Sequence, residues 1–199
     1  MLTAPQSLLR DRLLAALSVP SAADSSDYDL DDLAPGAAEL RPAGVLAAFD
    51  SAGRLVLTKR ASSLRNHPGQ IALPGGKVDP TDADTVAAAL REAREEVGLD
   101  PAQVEVLGTL PAHRTVTNYA MTPVLGLIRG EFTPVTEAGE VEEVFRVPFA
   151  HVADPASYRI ERRRWRGTWR SYYVAPWGPY YIWGATARVL HALALRLNA

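Results

Sequence analysis

The stretch that decides the fold is the acidic segment Arg91-Glu92-Ala93-Arg94-Glu95-Glu96-Val97-Gly98, which follows the turn Pro74-Gly75-Gly76. Glu92, Glu95 and Glu96 are spaced i, i+3 and i+4, so a helix places their carboxylates on one face. Alone, this cluster is unfavourable, because like charges repel and the last turn of a helix favours cations. A divalent cation relieves both effects, since magnesium and manganese prefer carboxylate ligands. For the acidic segment taken by itself, a solvated helix face is the simpler interpretation.

The rest of the chain predicts strands mixed with helices. Apolar strands are expected at residues 45–49, 55–59, 71–73, 104–110, 121–128 and 141–148. A basic, aromatic hairpin is expected at residues 158–177, with its turn near Arg166 and Gly167. Helices are expected at residues 5–17, 84–97 and 185–197, and a loosely ordered connector at residues 18–42. This mixture indicates an α/β sheet covered by helices on both faces.

Composition limits the classes of function. The chain has 199 residues, of which 47% are hydrophobic, and this suits one domain with a sizeable core. A net charge of −2 gives no reason to expect nucleic acid or an anionic membrane as a partner. The absence of cysteine excludes disulfides, thiolate metal sites and cysteine nucleophiles. With no apolar run of membrane-spanning length and no signal-peptide pattern, we expect a cytoplasmic location.

The turn and the helix together resemble the Nudix box, G-x5-E-x7-R-E-U-x-E-E-x-G-U, in which U is aliphatic. Gly76 matches its first glycine, and its second half is matched by Arg91, Glu92, Glu95, Glu96, Gly98 and Leu99. The first acidic position falls on Asp82 when counted from Gly76, but on Ala83 when counted back from Arg91. This box is therefore one residue longer than the common form. The resemblance implies the Nudix fold, an α/β architecture with a mixed β-sheet sandwiched between helices.

The Nudix resemblance also implies a metal site. Glu92, Glu95 and Glu96 are the expected metal ligands, holding Mg²⁺ or Mn²⁺ against a pyrophosphate. Arg91 is expected to orient the loop through hydrogen bonds to carboxylate and carbonyl oxygens. Such a metal neutralises phosphate charge and activates water near neutral pH.

A general base is expected in addition to the metal ligands. Family members often take it from the box or from a later loop, and three acids precede the strand predicted at residues 141–148: Glu140, Glu142 and Glu143. We choose Glu140. An exposed strand end without catalytic function explains each of the three acids equally well.

A second motif lies upstream of the box and narrows the substrate. Leu57-Thr58-Lys59-Arg60-Ala61, Arg65, Gly69 and Leu73-Pro74-Gly75-Gly76 resemble LLTxR[SA]x3Rx3Gx3FPGG, which marks the coenzyme A pyrophosphatase branch of the family. Val56 and Leu73 replace the first leucine and the phenylalanine. The resemblance covers residues 45–195, which suggests an N-terminal helix and connector at 1–42 and a Nudix hydrolase domain at 43–199.

The branch resemblance implies hydrolysis of coenzyme A, or an acyl or oxidised derivative, to 3′,5′-ADP and 4′-phosphopantetheine. Arg60 and Arg65 are the expected phosphate ligands, because a guanidinium pairs with phosphate through two hydrogen bonds. Gly75 and Gly76 are expected to let the backbone approach the substrate. For Arg65, a solvated loop charge is an equal alternative.

Other functions stay open at this point. The same chemistry on ADP-ribose or another nucleoside diphosphate derivative is one alternative, and a non-catalytic nucleotide-binding module is another. Four arginines of the predicted hairpin offer contacts to a 3′-phosphate, although an ordinary exposed hairpin is favoured: Arg162, Arg163, Arg164 and Arg166. A homodimer through the N-terminal helix is a further option.

Overall fold

A computed structural model describes residues 4–20, 24–31, 38–165 and 167–199. The helices are α1 (Ala4–Ser18), α2 (Thr85–Val97), α3 (Phe149–Ala153) and α4 (Ala185–Leu197). The first six strands are β1 (Ser25–Ser26), β2 (Arg41–Phe49), β3 (Arg54–Arg60), β4 (Ile71–Ala72), β5 (Gly75–Lys77) and β6 (Val104–Thr109). The others are β7 (His113–Arg114), β8 (Tyr119–Ile128), β9 (Val141–Pro148), β10 (Arg159–Trp165) and β11 (Thr168–Val174).

Nine of these strands form one mixed sheet in the part of the chain that the structure describes. The order β1-β7-β8-β2-β3-β4 forms its main path, while β5, β6 and β9 pair with β2, β8 and β3. At its centre β2 lies parallel to β8. Strands β10 and β11 form a separate antiparallel hairpin, as predicted. The turn residue Arg166 lies outside the described residues.

The central strand β2 shows why the sheet has a helical layer on each face. Successive side chains of a strand point to opposite faces. Val45, Ala47 and Phe49 belong to the larger core, which packs against α1, α3 and α4. Leu46 and Ala48 belong to the smaller core under α2. The predicted α/β fold, a mixed sheet sandwiched between helices, is confirmed.

Helix α2 is capped at both ends, and its first turn lies close to the sheet. Asp84 caps its start by accepting a hydrogen bond from the Ala87 N–H, and Gly98 ends it with a positive φ of 71°. A Cβ atom built on Gly44 of β2 would lie 1.8 Å from the carbonyl oxygen of Thr85. Only glycine at position 44 therefore lets the first turn of α2 approach the central strand this closely.

The N-terminal helix α1 is part of the packing. Leu9, Leu13 and Ala16 are buried in the larger core together with side chains of the sheet. The proposed division at residues 42 and 43 remains a prediction, although α1 shares the core of residues beyond it. Across the described residues, no helix is long and apolar enough to span a bilayer.

Replacement of Leu13 by alanine should lower the free energy of unfolding by about 2–5 kcal/mol, because it leaves a cavity in the larger core. Leu13 is 0% exposed, whereas Leu8, on the solvent side of the same helix, is 66% exposed. Leu8→Ala is the matched control and should change stability by about 0.5 kcal/mol or less. Urea unfolding measures both. An effect of Leu13→Ala as small as that expected for Leu8→Ala would show that the packing of α1 does not stabilise the domain.

Candidate active site

Strand β5 brings the two loop glycines against the last turns of α2. It runs antiparallel to β2, with Gly75 opposite Val45. The Gly75 N–H donates a hydrogen bond of 3.1 Å to Oε2 of Glu96. A Cβ atom on Gly76 would lie 2.4 Å from Oε1 of Glu92. Both glycines therefore contact the helix carboxylates, and glycine at position 76 leaves the space that the Glu92 carboxylate occupies.

Glu96 is a buried carboxylate, with 4% of its surface exposed. Burial raises its pKa to about 7, because the charged form loses hydration, while the Gly75 N–H opposes this shift. Nη1 of Arg60 lies 3.8 Å from its Oε1, too far for a close ion pair. A cation that binds the ionised form of this carboxyl group competes with its proton.

Glu92 lies beside Glu96 on the same face of α2. Its pKa is raised mainly by burial, and the nearby charges of Glu95 and Glu140 raise it further. Arg91 opposes the shift through an ion pair of 3.1 Å to Oε1 of Glu92. Two partly buried carboxylates thus disfavour each other's ionisation, which is the electrostatic environment that a divalent cation stabilises.

Arg91 ties the loop after β5 to the helix. Its Nε donates to Oδ1 of Asp82 at 3.0 Å, and its Nη2 donates to Oδ2 of Asp82 at 3.1 Å and to the carbonyl oxygen of Lys77 at 3.2 Å. The guanidinium holds the pKa of Asp82 below its usual value, through hydrogen bonds and charge. Asp82, and not Ala83, therefore occupies the position facing Arg91, and the extra residue of the box follows it.

Glu95 is placed differently from the other two helix glutamates. It is 50% exposed in its side chain, and its Oε2 lies 2.9 Å from Nη1 of Arg91. Among the described residues, no group of three or more Asp, Glu or His side chains is already drawn together as a metal site. The structure thus brings Glu92 and Glu96 together and leaves Glu95 on Arg91.

Glu92 and Glu96 fit a divalent cation of the magnesium or manganese type. Both offer oxygen donors only, Glu96 is buried and Glu92 is partly buried, and burial raises the pKa of each. Glu95 would join them only by leaving Arg91. The assignment of Glu95 as a third ligand remains a prediction.

The three later acids have different surroundings. Glu142 accepts hydrogen bonds from Nζ of Lys59 at 2.6 Å and from the Ser62 hydroxyl, and Glu143 accepts one from the Tyr180 hydroxyl. Among the described residues, no hydrogen bond or ion pair involves the Glu140 carboxylate, and its charge acts on both Glu92 and Glu96. Glu140 is therefore the later acid with an uncommitted carboxylate near the helix glutamates.

A groove of about 940 Å³ opens at the loop glycines. Gly75, Gly76 and Arg60 are part of its lining, whereas Arg65 is not and lies exposed on the preceding loop. A role of Arg65 in substrate binding remains a prediction. Among described residues, the groove is lined by one acid, Asp27, and by five cations: Arg41, Arg60, Lys77, Arg163 and Arg170.

Sequence reasoning did not identify Arg41 as a groove residue. Arg41 stacks over the Tyr119 ring, with 4.2 Å from its Cζ to the ring centroid, and it donates to the Thr117 carbonyl oxygen. The parallel pairing of β2 with β8 places Arg41 opposite Tyr119. No local sequence pattern signals a contact between such distant segments.

Replacement of Asp82 by asparagine should lower kcat/KM by about 10- to 100-fold, the usual effect of losing a partner that orients metal ligands. Asp82 meets Arg91 through two oxygens, whereas Asp79, in the same loop, lies 3.8 Å from it. Asp79→Asn is therefore the matched control and should leave kcat/KM within about twofold, as expected for a weak surface pair. Steady-state kinetics on one substrate measures kcat/KM for both variants. Equal values for the two variants would contradict the proposed role of Asp82 in anchoring Arg91.

The comparison with known proteins agrees with this geometry. The family model described as NUDIX domain matches residues 39–166. The chain is 43% identical over 148 residues to "Uncharacterized Nudix hydrolase NudL" of Enterobacter sp. (strain 638), covering 72% of this chain and 75% of that protein. It is 42% identical over 144 residues to the protein of the same name from Cronobacter sakazakii (strain ATCC BAA-894), with the same coverage.

A solved structure supports the fold. A MutT/nudix family protein from Enterococcus faecalis superimposes with a TM-score of 0.50 at 16% identity, covering 83% of this chain and 65% of that chain. At this identity the similarity concerns the fold alone. The match of the family model and the identity to the two relatives carry the assignment: this chain belongs to the Nudix hydrolase family.

Proposed function

We propose that this protein hydrolyses the pyrophosphate bond of coenzyme A, or of an acyl or oxidised derivative. The observation that carries the proposal is the position of Arg60, from the upstream motif. Its guanidinium lies next to Glu96, and it lines the same groove as Gly75 and Gly76. A motif that resembles the coenzyme A branch thus contributes a cation directly beside the carboxylates that fit a metal.

The charge of the groove favours a substrate with several phosphates. Its five lining cations face one lining acid, Asp27, among the described residues. Both oxygens of Asp27 are already engaged, by Nε2 of His113 at 3.0 Å and by the Val116 N–H at 2.9 Å. A positive, concave surface raises the local concentration of anions. Coenzyme A carries a pyrophosphate and a separate 3′-phosphate, and it meets this requirement better than a substrate with the pyrophosphate alone.

The chain's own residues have distinct parts in the reaction. Nudix hydrolases generally use divalent ions such as Mg²⁺ or Mn²⁺, and the bound cation would neutralise phosphate charge and activate a water molecule. Glu92 and Glu96 would hold it, while Arg91 keeps the loop in place through Asp82. The backbone at Gly75 and Gly76 leaves room for the diphosphate, and Arg60 binds a phosphate oxygen.

The hydrolysis needs a group that accepts a proton from the attacking water, and we assign this role to Glu140. Water adds to one phosphorus, the bridging P–O bond breaks, and the two products are 3′,5′-ADP and 4′-phosphopantetheine. Glu140 accepts the proton of the attacking water, since its carboxylate is uncommitted and lies within electrostatic range of Glu92 and Glu96. Orientation of the water in line with the scissile bond supplies much of the remaining rate.

A chromatographic product assay tests the proposal, with coenzyme A, dephospho-coenzyme A and ADP-ribose incubated separately with Mg²⁺ or Mn²⁺. We expect equal amounts of 3′,5′-ADP and 4′-phosphopantetheine from coenzyme A, and slower turnover of the other two. Glu96→Gln should lower turnover by about a hundredfold or more, because it removes a metal-binding carboxylate. Glu131→Gln, a change at an exposed acid outside the site, is the matched control and should be unaffected.

Two results would contradict the proposal in different ways. Faster hydrolysis of ADP-ribose than of coenzyme A would keep the diphosphatase chemistry and reject the substrate. Binding of all three compounds without turnover would favour a nucleotide-binding module. Separately, a Glu96→Gln variant with unchanged turnover would reject the assigned role of Glu96 in catalysis.

A further inference from the structure

The groove has a second cationic wall, formed by the β10–β11 hairpin. Arg163 of β10 and Arg170 of β11 are directly opposite each other in the antiparallel register, and both line the groove. Like charges at directly opposed positions destabilise a strand pair. An anion bound near both side chains would reduce any such repulsion.

Aromatic rings hold the two guanidiniums at the groove. The Cζ of Arg163 lies 4.7 Å from the centroid of the Trp183 ring, and the Cζ of Arg170 lies 5.0 Å from that of Tyr28. Tyr172 packs edge-on against Trp183, with 5.4 Å between the ring centroids. A cation stacked on an aromatic face is attracted by the quadrupole of the ring. The Trp183 ring restricts the Arg163 guanidinium and leaves its N–H edge able to donate.

Acidic residues near the hairpin do not neutralise Arg163. Asp31 accepts a hydrogen bond of 2.8 Å from the Ser171 N–H, and its charge acts on Arg162 and Arg170. Asp27, the one acid that lines the groove among described residues, is engaged by His113 and Val116. Within the described part of the chain, Arg163 forms no ion pair with an acid.

We propose that Arg163, together with Arg170, binds a phosphomonoester on the ribose of the nucleotide and so determines substrate specificity. The inference rests on the proposed function and names the 3′-phosphate of coenzyme A as the group bound. A phosphomonoester carries up to two negative charges and three acceptor oxygens, which match two forked guanidiniums. The pyrophosphate lies at the other cationic part of the groove, where Arg60, Gly75 and Gly76 face the helix carboxylates.

Neighbouring arginines of the hairpin differ in their position. Strand alternation places Arg162 and Arg164 on the face opposite Arg163. Arg162 lies over the Trp169 ring, and Nε of Arg164 donates to the carbonyl oxygen of Gly167. Neither lines the groove. Arg164→Gln is therefore a matched control for Arg163→Gln, since it removes the same charge from the same strand outside the groove.

Isothermal titration calorimetry with adenosine 3′,5′-bisphosphate and with 5′-AMP, in the presence of Mg²⁺, tests the site directly. We expect Arg163→Gln to weaken binding of the bisphosphate by about ten- to a hundredfold, as for the loss of a charge-assisted hydrogen bond. Binding of 5′-AMP should stay nearly unchanged. Arg163→Lys should fall between the two, because lysine keeps the charge and loses the fork. Far-UV circular dichroism and thermal unfolding confirm that each variant is folded.

The inference is overturned if Arg163→Gln weakens both ligands equally or neither, or if Arg164→Gln has the same effect. The ratio of kcat/KM for coenzyme A to kcat/KM for dephospho-coenzyme A distinguishes failure of this inference from failure of the proposed function. Wild-type protein that prefers coenzyme A, and an Arg163→Gln variant that keeps this preference, would reject the arginine site and retain the function. Absence of coenzyme A hydrolysis with a bisphosphate preference that depends on Arg163 would do the reverse.

Discussion

The contact between the glycine loop and the last turns of α2 is the constraint on which the site depends. The Gly75 N–H donates to Glu96, and Gly76 leaves the space in which Glu92 lies. Burial of a carboxylate is costly, and here one backbone donor and the Arg60 guanidinium, 3.8 Å away, compensate only part of that cost. The remaining cost appears as the raised pKa of Glu96 and of Glu92. The raised pKa values favour the protonated form of these carboxyl groups, whereas a bound cation would favour the ionised form.

The fold transmits this constraint from the core to the site. Gly44 allows α2 to approach β2, and β2 in turn pairs with β5, which carries Gly75 and Gly76. The helix and the loop are therefore both positioned by contacts with one central strand. The side chains of this strand pack on both faces of the sheet. Arg91 adds a second tie, from the helix to the loop, through Asp82. A shift of α2 along the sheet would disturb all of these contacts together.

Much of the fold could be predicted from the sequence, because hydrophobic periodicity and helix caps are local signals. The strands β1, β5 and β7 could not, since each has only two or three residues and shows no periodicity. Helix α1 was expected to lie outside the Nudix domain, because the family motifs begin after it in the sequence. The packing of Leu13 in the larger core depends on contacts with distant segments, which no local pattern reveals.

The candidate site shows the same division between local and distant signals. Spacing within one helix placed Glu92 and Glu96 on one face, but it also grouped Glu95 with them. The structure pairs Glu95 with Arg91, because this salt bridge between exposed ends of neighbouring turns competes with the cluster. Counting residues left the first acid of the box between Asp82 and Ala83, whereas the geometry of the Arg91 fork selects Asp82. Arg41 was recognised as a groove residue only from the structure, in which the register of β2 and β8 places it opposite Tyr119.

The central claim is that Glu92 and Glu96 form the metal-binding pair, and anomalous diffraction from crystals grown with Mn²⁺ tests it most directly. We expect an anomalous peak within about 2.0–2.5 Å of carboxylate oxygens of both Glu92 and Glu96, the range of metal–oxygen bonds. In crystals of Glu96→Gln the peak should be lost or much reduced. A Mn²⁺ peak bound by other side chains, with Glu92 and Glu96 unligated, would contradict the claim.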